Sequence, residues 1–332
     1  MKVFTKRNIM VALAICLIFA ALMAVATIYD LQINHAVADL DKGYISSNLF
    51  GRFFETVGIL PIYLLTAFSA MIIYHYLAKL GKKVIYIVIR VVMIIASVGL
   101  LFYMWNQIFE YLGDHYGFAH QLDGITYKLG FALLGLVSAG VIYYLVSKFK
   151  PATLNKLIAW AVIVVITAAL SRGLSELLKF FAGRPRYRTM FVLNDFSIHR
   201  AWYEFQGKVT VTEDMFALGV ASDAFKSFPS GHVNATAMLI ALTALPSMFE
   251  KTNNLKCKIL VIVATVALTV LVMFSRMVMG AHFLSDVVAG YFLTVVSYFV
   301  VTFLVNFILS KWLAANRLEE RKRISLQEEA GV

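Results

Sequence analysis

VIYIVIRVVMIIASVGLLFYMWN, residues 84–106, holds a single charge, Arg90. At about 1.5 Å of rise per residue a run of this length crosses the ~30 Å hydrocarbon core of a bilayer as a helix. Comparable runs lie at roughly 8–29, 57–78, 127–147, 155–178, 229–249, 258–275 and 284–310. Inside a bilayer each backbone polar group has to be satisfied within its own segment, which leaves helices as the solution for isolated apolar runs. The expected fold is therefore all-α, a polytopic membrane helix bundle of about eight transmembrane helices. Composition agrees. Of 332 residues, 61% are hydrophobic and 15% charged, against about 45–50% and 25% in soluble domains, and the mean hydropathy is +0.78. A soluble globular protein is excluded.

The net charge of +11 and the isoelectric point near 9.5 would suit a nucleic-acid partner. The basic residues are instead scattered in small groups between apolar runs, as orientation signals are in membrane proteins, so no nucleic acid is expected. Cys16 sits in the first apolar run and Cys257 in a basic loop, which gives neither a disulfide framework nor a cysteine metal site. With the N-terminus cytoplasmic, the inner segments collect Lys2, Lys6 and Arg7, then Lys79, Lys82 and Lys83, then Lys148, Lys150 and Lys156, then Lys251, Lys256 and Lys258, and a basic tail. The outer loops 30–56 and 107–126 contribute only Lys42 and Arg52. The first run also admits a signal-peptide reading, because basic residues precede it and Ala24-Val25-Ala26 resembles a cleavage site. Both readings leave residue 30 outside. The chain divides into N-terminal spans (1–150), a core with a long extracytoplasmic loop (151–313, loop 180–228), and a charged cytoplasmic tail (314–332).

Residues 179–228 break the positive-inside pattern, with Lys179, Arg184, Arg186, Arg188, Arg200, Lys208 and Lys226 on the outer side by parity. Three clusters sit on that side. The first runs from Lys179 to Arg188 at the outer end of the fifth span. Lys and Arg there suit headgroup anchoring, but an ammonium and planar guanidinium forks are also the groups that hold phosphate oxygens. The second is Pro229-Ser230-Gly231-His232, at the start of the sixth span. Besides capping a helix, Ser with Gly beside it exposes N–H groups at the positive helix end, an anion site. The third is Ser275-Arg276, five residues, His282, three residues and Asp286. The spacing of four puts the carboxylate within reach of one ring nitrogen, leaving Nε2 free; a plain helix-start polar pair is the alternative. Parity puts all three on one face. Two histidines with different surroundings can divide the roles of nucleophile and general acid.

These residues resemble the type 2 phosphatidic acid phosphatase superfamily, which includes lipid phosphate phosphatases, bacterial acid phosphatases and vanadium haloperoxidases. Its motifs are Lys-x6-Arg-Pro, Pro-Ser-Gly-His and Ser-Arg-x5-His-x3-Asp. The second and third are matched at 229–232 and 275–286. In the first, Lys179 and Arg186 match, and Tyr187 stands in place of proline. The resemblance covers residues 155–310 and leaves two N-terminal spans beyond a six-helix phosphatase core.

By that resemblance His282 is the nucleophile that forms a phosphohistidine, and Asp286 holds its tautomer. His232 protonates the leaving oxygen and then activates water. Lys179, Arg186, Ser230, the N–H of Gly231 and Arg276 bind the phosphoryl oxygens. No metal and no cofactor are implied. The expected function is an integral membrane phosphatase, a hydrolase acting on a lipid phosphate monoester or diphosphate (undecaprenyl diphosphate, phosphatidylglycerol phosphate or phosphatidic acid) at the outer face of the cell membrane. The expected partners are that lipid and the surrounding membrane lipids, with oligomeric state left open. A lipid phosphotransferase would use the same site. An anion or lipid transporter would place its charges near the bilayer midplane rather than at span ends.

Other polar residues have structural readings. Arg172, Glu176 and Lys179 share a helix face and are expected to form a structural ion-pair ladder beneath the site, with orientation of Lys179 by Glu176 as the alternative. Arg90 snorkels or pairs within the bundle. His115, His120, Asp114 and Asp123 read as solvated loop residues, and the aromatic outer loop either covers a lipid head group or anchors at the interface.

Overall fold

The computed structural model describes residues 6–40, 44, 46–116 and 124–329, and among them the only regular secondary structure is helical. The long helices are α1 (Lys6–Val37), α3 (Leu60–Lys79), α4 (Val84–Tyr116), α5 (Ile125–Ser147), α6 (Pro151–Ala182), α10 (Leu255–Val278) and α11 (Leu284–Glu329). Between them lie the shorter α2 (Leu49–Gly58), α7 (Tyr187–Leu193), α8 (Glu213–Ala217) and α9 (Gly231–Ala237), and a 3₁₀ helix at Met238–Met248. Among the described residues seven stretches are long and apolar enough to cross a membrane: Leu13–Val37, Leu49–Lys79, Val84–Asp114, Ile125–Ser147, Pro151–Leu193, Leu255–Val278 and Leu284–Lys311.

The sixth expected span, 229–249, is not a continuous α-helix. It is α9 followed by eleven residues of 3₁₀ helix. Pro246 has no N–H for the Leu242 carbonyl, and the Ala241 carbonyl accepts from Trp160 Nε1 at 2.7 Å, so the α-type ladder is interrupted at adjacent positions. At about 1.5 Å per α and 2.0 Å per 3₁₀ residue, the pair still extends on the order of 30 Å. Several helices also run beyond their apolar stretches. The described part of the charged tail continues α11, and α1 passes unbroken through Ala24-Val25-Ala26 to Val37.

The main core joins α3, α4, α6 and the 3₁₀ helix through Ala67, Met71, Leu101, Trp160, Val164 and Met238, all buried. Outward-facing residues are also large and apolar, among them Leu17, Ile95, Leu133, Leu260 and Ile308. A surface of that kind fits hydrocarbon rather than water.

Helix ends place the polar residues. Pro151 opens α6 at its first position, where a missing N–H costs nothing. Gly183 closes it in the left-handed conformation (φ 58°), and a Cβ there would stand 1.9 Å from the Gly207 carbonyl oxygen. The chain then turns extended through Arg184, Pro185 and Arg186 into α7. Tyr187, the departure from the family proline, is the first residue of α7, a position proline also tolerates.

Candidate active site

The C-terminal ends of α1, α4, α6 and α10 and the N-terminal ends of α2, α9 and α11 meet at one end of the bundle, and the three clusters meet with them. A Cβ on Gly231 would stand 3.0 Å from Lys179 Nζ, which places the first two clusters against each other. Ser230 N donates to the Asp286 carbonyl at 2.9 Å, Ser227 N to the Arg184 carbonyl at 3.1 Å, and Arg188 N to the Gly280 carbonyl at 2.8 Å. These main-chain bonds lock the loops carrying all three clusters into one unit.

His282 is buried, 2% exposed, on the turn between α10 and α11. Its Nδ1 lies 2.7 Å from the Ser227 carbonyl oxygen, while Asp286 Oδ2 stands 3.8 Å away. A carbonyl only accepts, so Nδ1 carries the proton and Nε2 keeps its lone pair. The direct Asp286 contact expected from the spacing is thus replaced by a relay. Ser227 Oγ donates to Asp286 Oδ2 at 2.5 Å, and the Ser227 carbonyl holds the ring. The reason is local: α11 begins at Leu284, so His282 precedes the helix and the one-turn rule does not apply to it. Burial pushes the His282 imidazole down to about 4, and Arg186 and Arg276 push the same way against the opposing effect of Asp286. It is neutral at pH 7.

Asp286 is fully buried and its carboxylate accepts three hydrogen bonds. Oδ1 accepts from Arg184 Nη1 at 2.6 Å, and Oδ2 also accepts from Phe283 N at 2.8 Å. Arg184 itself is spent on structure. It donates to Ser285, Asp286, Asp30 and the Arg200 carbonyl and stacks 4.2 Å from the Phe283 ring centroid. Four of its five N–H donors are engaged in these bonds.

The other cations keep capacity. Lys179 Nζ and Arg172 Nη2 both lie 2.8 Å from Glu176 Oε1, the ladder the spacing indicates. Arg186 pairs with Asp223, Arg276 Nη1 pairs with Glu55 at 2.6 Å, and Arg188 stacks 4.4 Å from the Tyr44 ring centroid. Buried side-chain atoms without a protein partner include Arg186 Nε, Arg188 Nε, Arg276 Nε, Ser230 Oγ and His232 Nε2. Such atoms are costly in a folded interior, and their gathering here is what an oxyanion would satisfy. The ring of His232, the second residue of α9, lies 5.3 Å from that of Tyr111 on α4. Beside the cluster is a cavity of about 360 Å³ lined by Lys179, Lys208, Lys226, Phe180, Phe216 and Phe225 among others.

Asp30, Glu55, Ser227 and Asp223 were not legible as site residues in the sequence. Each finds a partner far along the chain, and no local periodicity marks such a pairing. Arg90 bonds the Tyr74 hydroxyl at 3.0 Å, within the bundle. Asp114 ends the α4 apolar stretch, whereas His120, Asp123 and the side chain of His115 lie outside the described residues. Among the described residues no group of three or more His, Cys, Asp or Glu could hold a metal ion.

Together these features define an all-helical protein of membrane type with a buried, donor-rich polar site at one end of its helices. Residues 158–309, a little under half of the chain, match the model of the PAP2 superfamily. The match supports a membrane phosphatase, hence a hydrolase. No curated protein and no solved structure matches the chain.

Proposed function

We propose that this chain hydrolyses a phosphate monoester or diphosphate carried by a lipid, in the cell membrane, with its termini cytoplasmic and its site extracytoplasmic. His282 Nε2 attacks phosphorus while the bond to the leaving oxygen breaks, giving a phosphohistidine. His232 gives that oxygen its proton. In the second step His232 takes a proton from water, the resulting hydroxide attacks phosphorus, and the P–N bond returns its electrons to His282 as inorganic phosphate leaves.

Lys179, Arg186, Ser230, the Gly231 N–H and Arg276 hold the equatorial oxygens and the charge that builds on them, the electrostatic role a metal plays in other phosphatases. Asp286, through Ser227 and through its charge, favours the positive phosphoimidazole. Undecaprenyl diphosphate, phosphatidylglycerol phosphate and phosphatidic acid are the substrates we put forward. The observation that carries the reading is the set of buried, unpartnered donors on Arg186, Ser230, His232 and Arg276 around a neutral His282 with its Nε2 unprotonated.

The test is phosphate release by the purified protein from a panel of these lipids in the presence of chelator. Wild type is expected to release phosphate and His282→Ala to lose at least about a thousandfold in kcat. Equal rates for the two would remove His282 from its role, and loss of activity in chelator would overturn the metal-free chemistry.

A further inference from the structure

We propose that α1, which lies outside the matched domain, belongs to the reaction site: Asp30 and Asn34 are positioning residues that set the loop bearing His282. The inference rests on the reading of His282 as nucleophile.

A carboxylate and a carboxamide in a span-length apolar helix are costly unless paired. Both are buried, Asp30 at 5% exposure and Asn34 at 0%. Their partners are groups of the site. Asp30 Oδ1 accepts from Ser285 N at 3.0 Å, in the first turn of α11, and Oδ2 accepts from Arg184 Nη2 at 3.0 Å and from the Ser285 hydroxyl. The carboxylate therefore caps the helix that carries Asp286 and holds the arginine that binds Asp286. One turn on, Asn34 Nδ2 donates to the His282 carbonyl at 3.1 Å. Adjacent to it, His35 Nδ1 lies 2.9 Å from the Tyr187 hydroxyl, so the tyrosine that replaces the family proline is tied to the same helix. Past the end of α1, Asp39 N donates to the Val278 carbonyl at 2.9 Å, which pins the last turn of α10.

Main chain and ring of His282 are thus held from different sides. Asn34 fixes its carbonyl and Ser227 fixes Nδ1, so the direction of Nε2 follows from both. Displacement of a reacting group by about 1 Å costs on the order of a hundredfold in rate. Loss of either α1 contact should lower kcat with little effect on KM, because neither residue reaches the substrate.

The experiment measures phosphate release from micellar short-chain phosphatidic acid by full-length wild type, Asp30→Asn, Asn34→Leu, His282→Ala and Thr27→Val, with a melting curve for each. Thr27 lies on α1 and accepts a hydrogen bond from Trp202 at 2.9 Å, a contact that does not itself include the loop of His282. It reports a merely structural contribution of the helix. Expected are kcat losses of about ten- to hundredfold for Asp30→Asn and Asn34→Leu, KM within about threefold of wild type, and Thr27→Val close to wild type.

Wild-type kcat in both α1 variants overturns the proposal, and so does an equal loss in Thr27→Val. Should one variant fail to fold, the other decides alone. Wild-type kcat in both beside an inactive His282→Ala sinks only the positioning role. A wild type inactive on this lipid and on the rest of the substrate panel sinks the phosphatase reading and this inference with it.

Discussion

His282 is a group whose chemistry is set by what its two nitrogens face. With Nδ1 committed to a carbonyl and the imidazole held down to about 4 by burial, the neutral form prevails through the weakly acidic range. Its folded value lies below the ordinary 6.5, so the unfolded chain gains a proton first as pH falls. The stability tied to this group is complete above about 6.5 and is lost between there and about 4. For the reaction, kcat/KM measured from pH 7 to 5 should retain more than about half of the share governed by this nucleophile, where an unperturbed imidazole would leave a few per cent.

Asp223 makes a second case. Burial alone would raise its carboxyl, but the Arg186 and Arg188 guanidiniums and other cations around it hold it below the usual carboxylate range, so it stays charged and would compete with a phosphate at Arg186 if the proposed reading holds. Because its side chain is 43% exposed, water screens much of that pairing. Asp223→Asn should tighten competitive inhibition by inorganic phosphate by up to about fivefold, read from inhibition constants at fixed pH and salt.

At the scale of elements, the site depends on how closely α11 can approach α9. Gly290 makes that approach possible, since a Cβ there would stand 2.5 Å from the Ser230 carbonyl oxygen, backbone that cannot move aside. Gly290→Ala should cost about 1–3 kcal/mol, seen as a lowered Tm, and reduce activity by shifting Ser230. The elements also show what was readable beforehand. Runs of apolar residues marked α3, α4, α5 and α10 because period and polarity are local signals. The motif residues were readable because their spacing is local too. Asp30, Asn34 and Glu55 were not, for their partners Ser285, His282 and Arg276 are more than 200 positions distant. The direct His282–Asp286 bond was inferred from helical spacing, and it failed because the helix starts two residues after the histidine.

For the whole molecule, orientation is the property that the positive-inside pattern argues and a labelling experiment decides. Cys257 lies at the start of α10, at the opposite end of that helix from Arg276. A membrane-impermeant maleimide applied to intact cells should leave Cys257 unmodified and should modify it after permeabilisation. Labelling of intact cells would reverse the topology and place the site inside. The 3₁₀ helix at Met238–Met248 has its own consequence for a map of mutational tolerance along the chain. Side chains three apart eclipse one another in such a helix, and Met238 and Ala241 are both fully buried. Sensitivity to polar replacement should peak at Met238 and again three positions on at Ala241, whereas the seven long helices should follow the usual 3.6-residue beat. A deep mutational scan would therefore reveal the change of winding by rhythm alone, with no coordinates consulted.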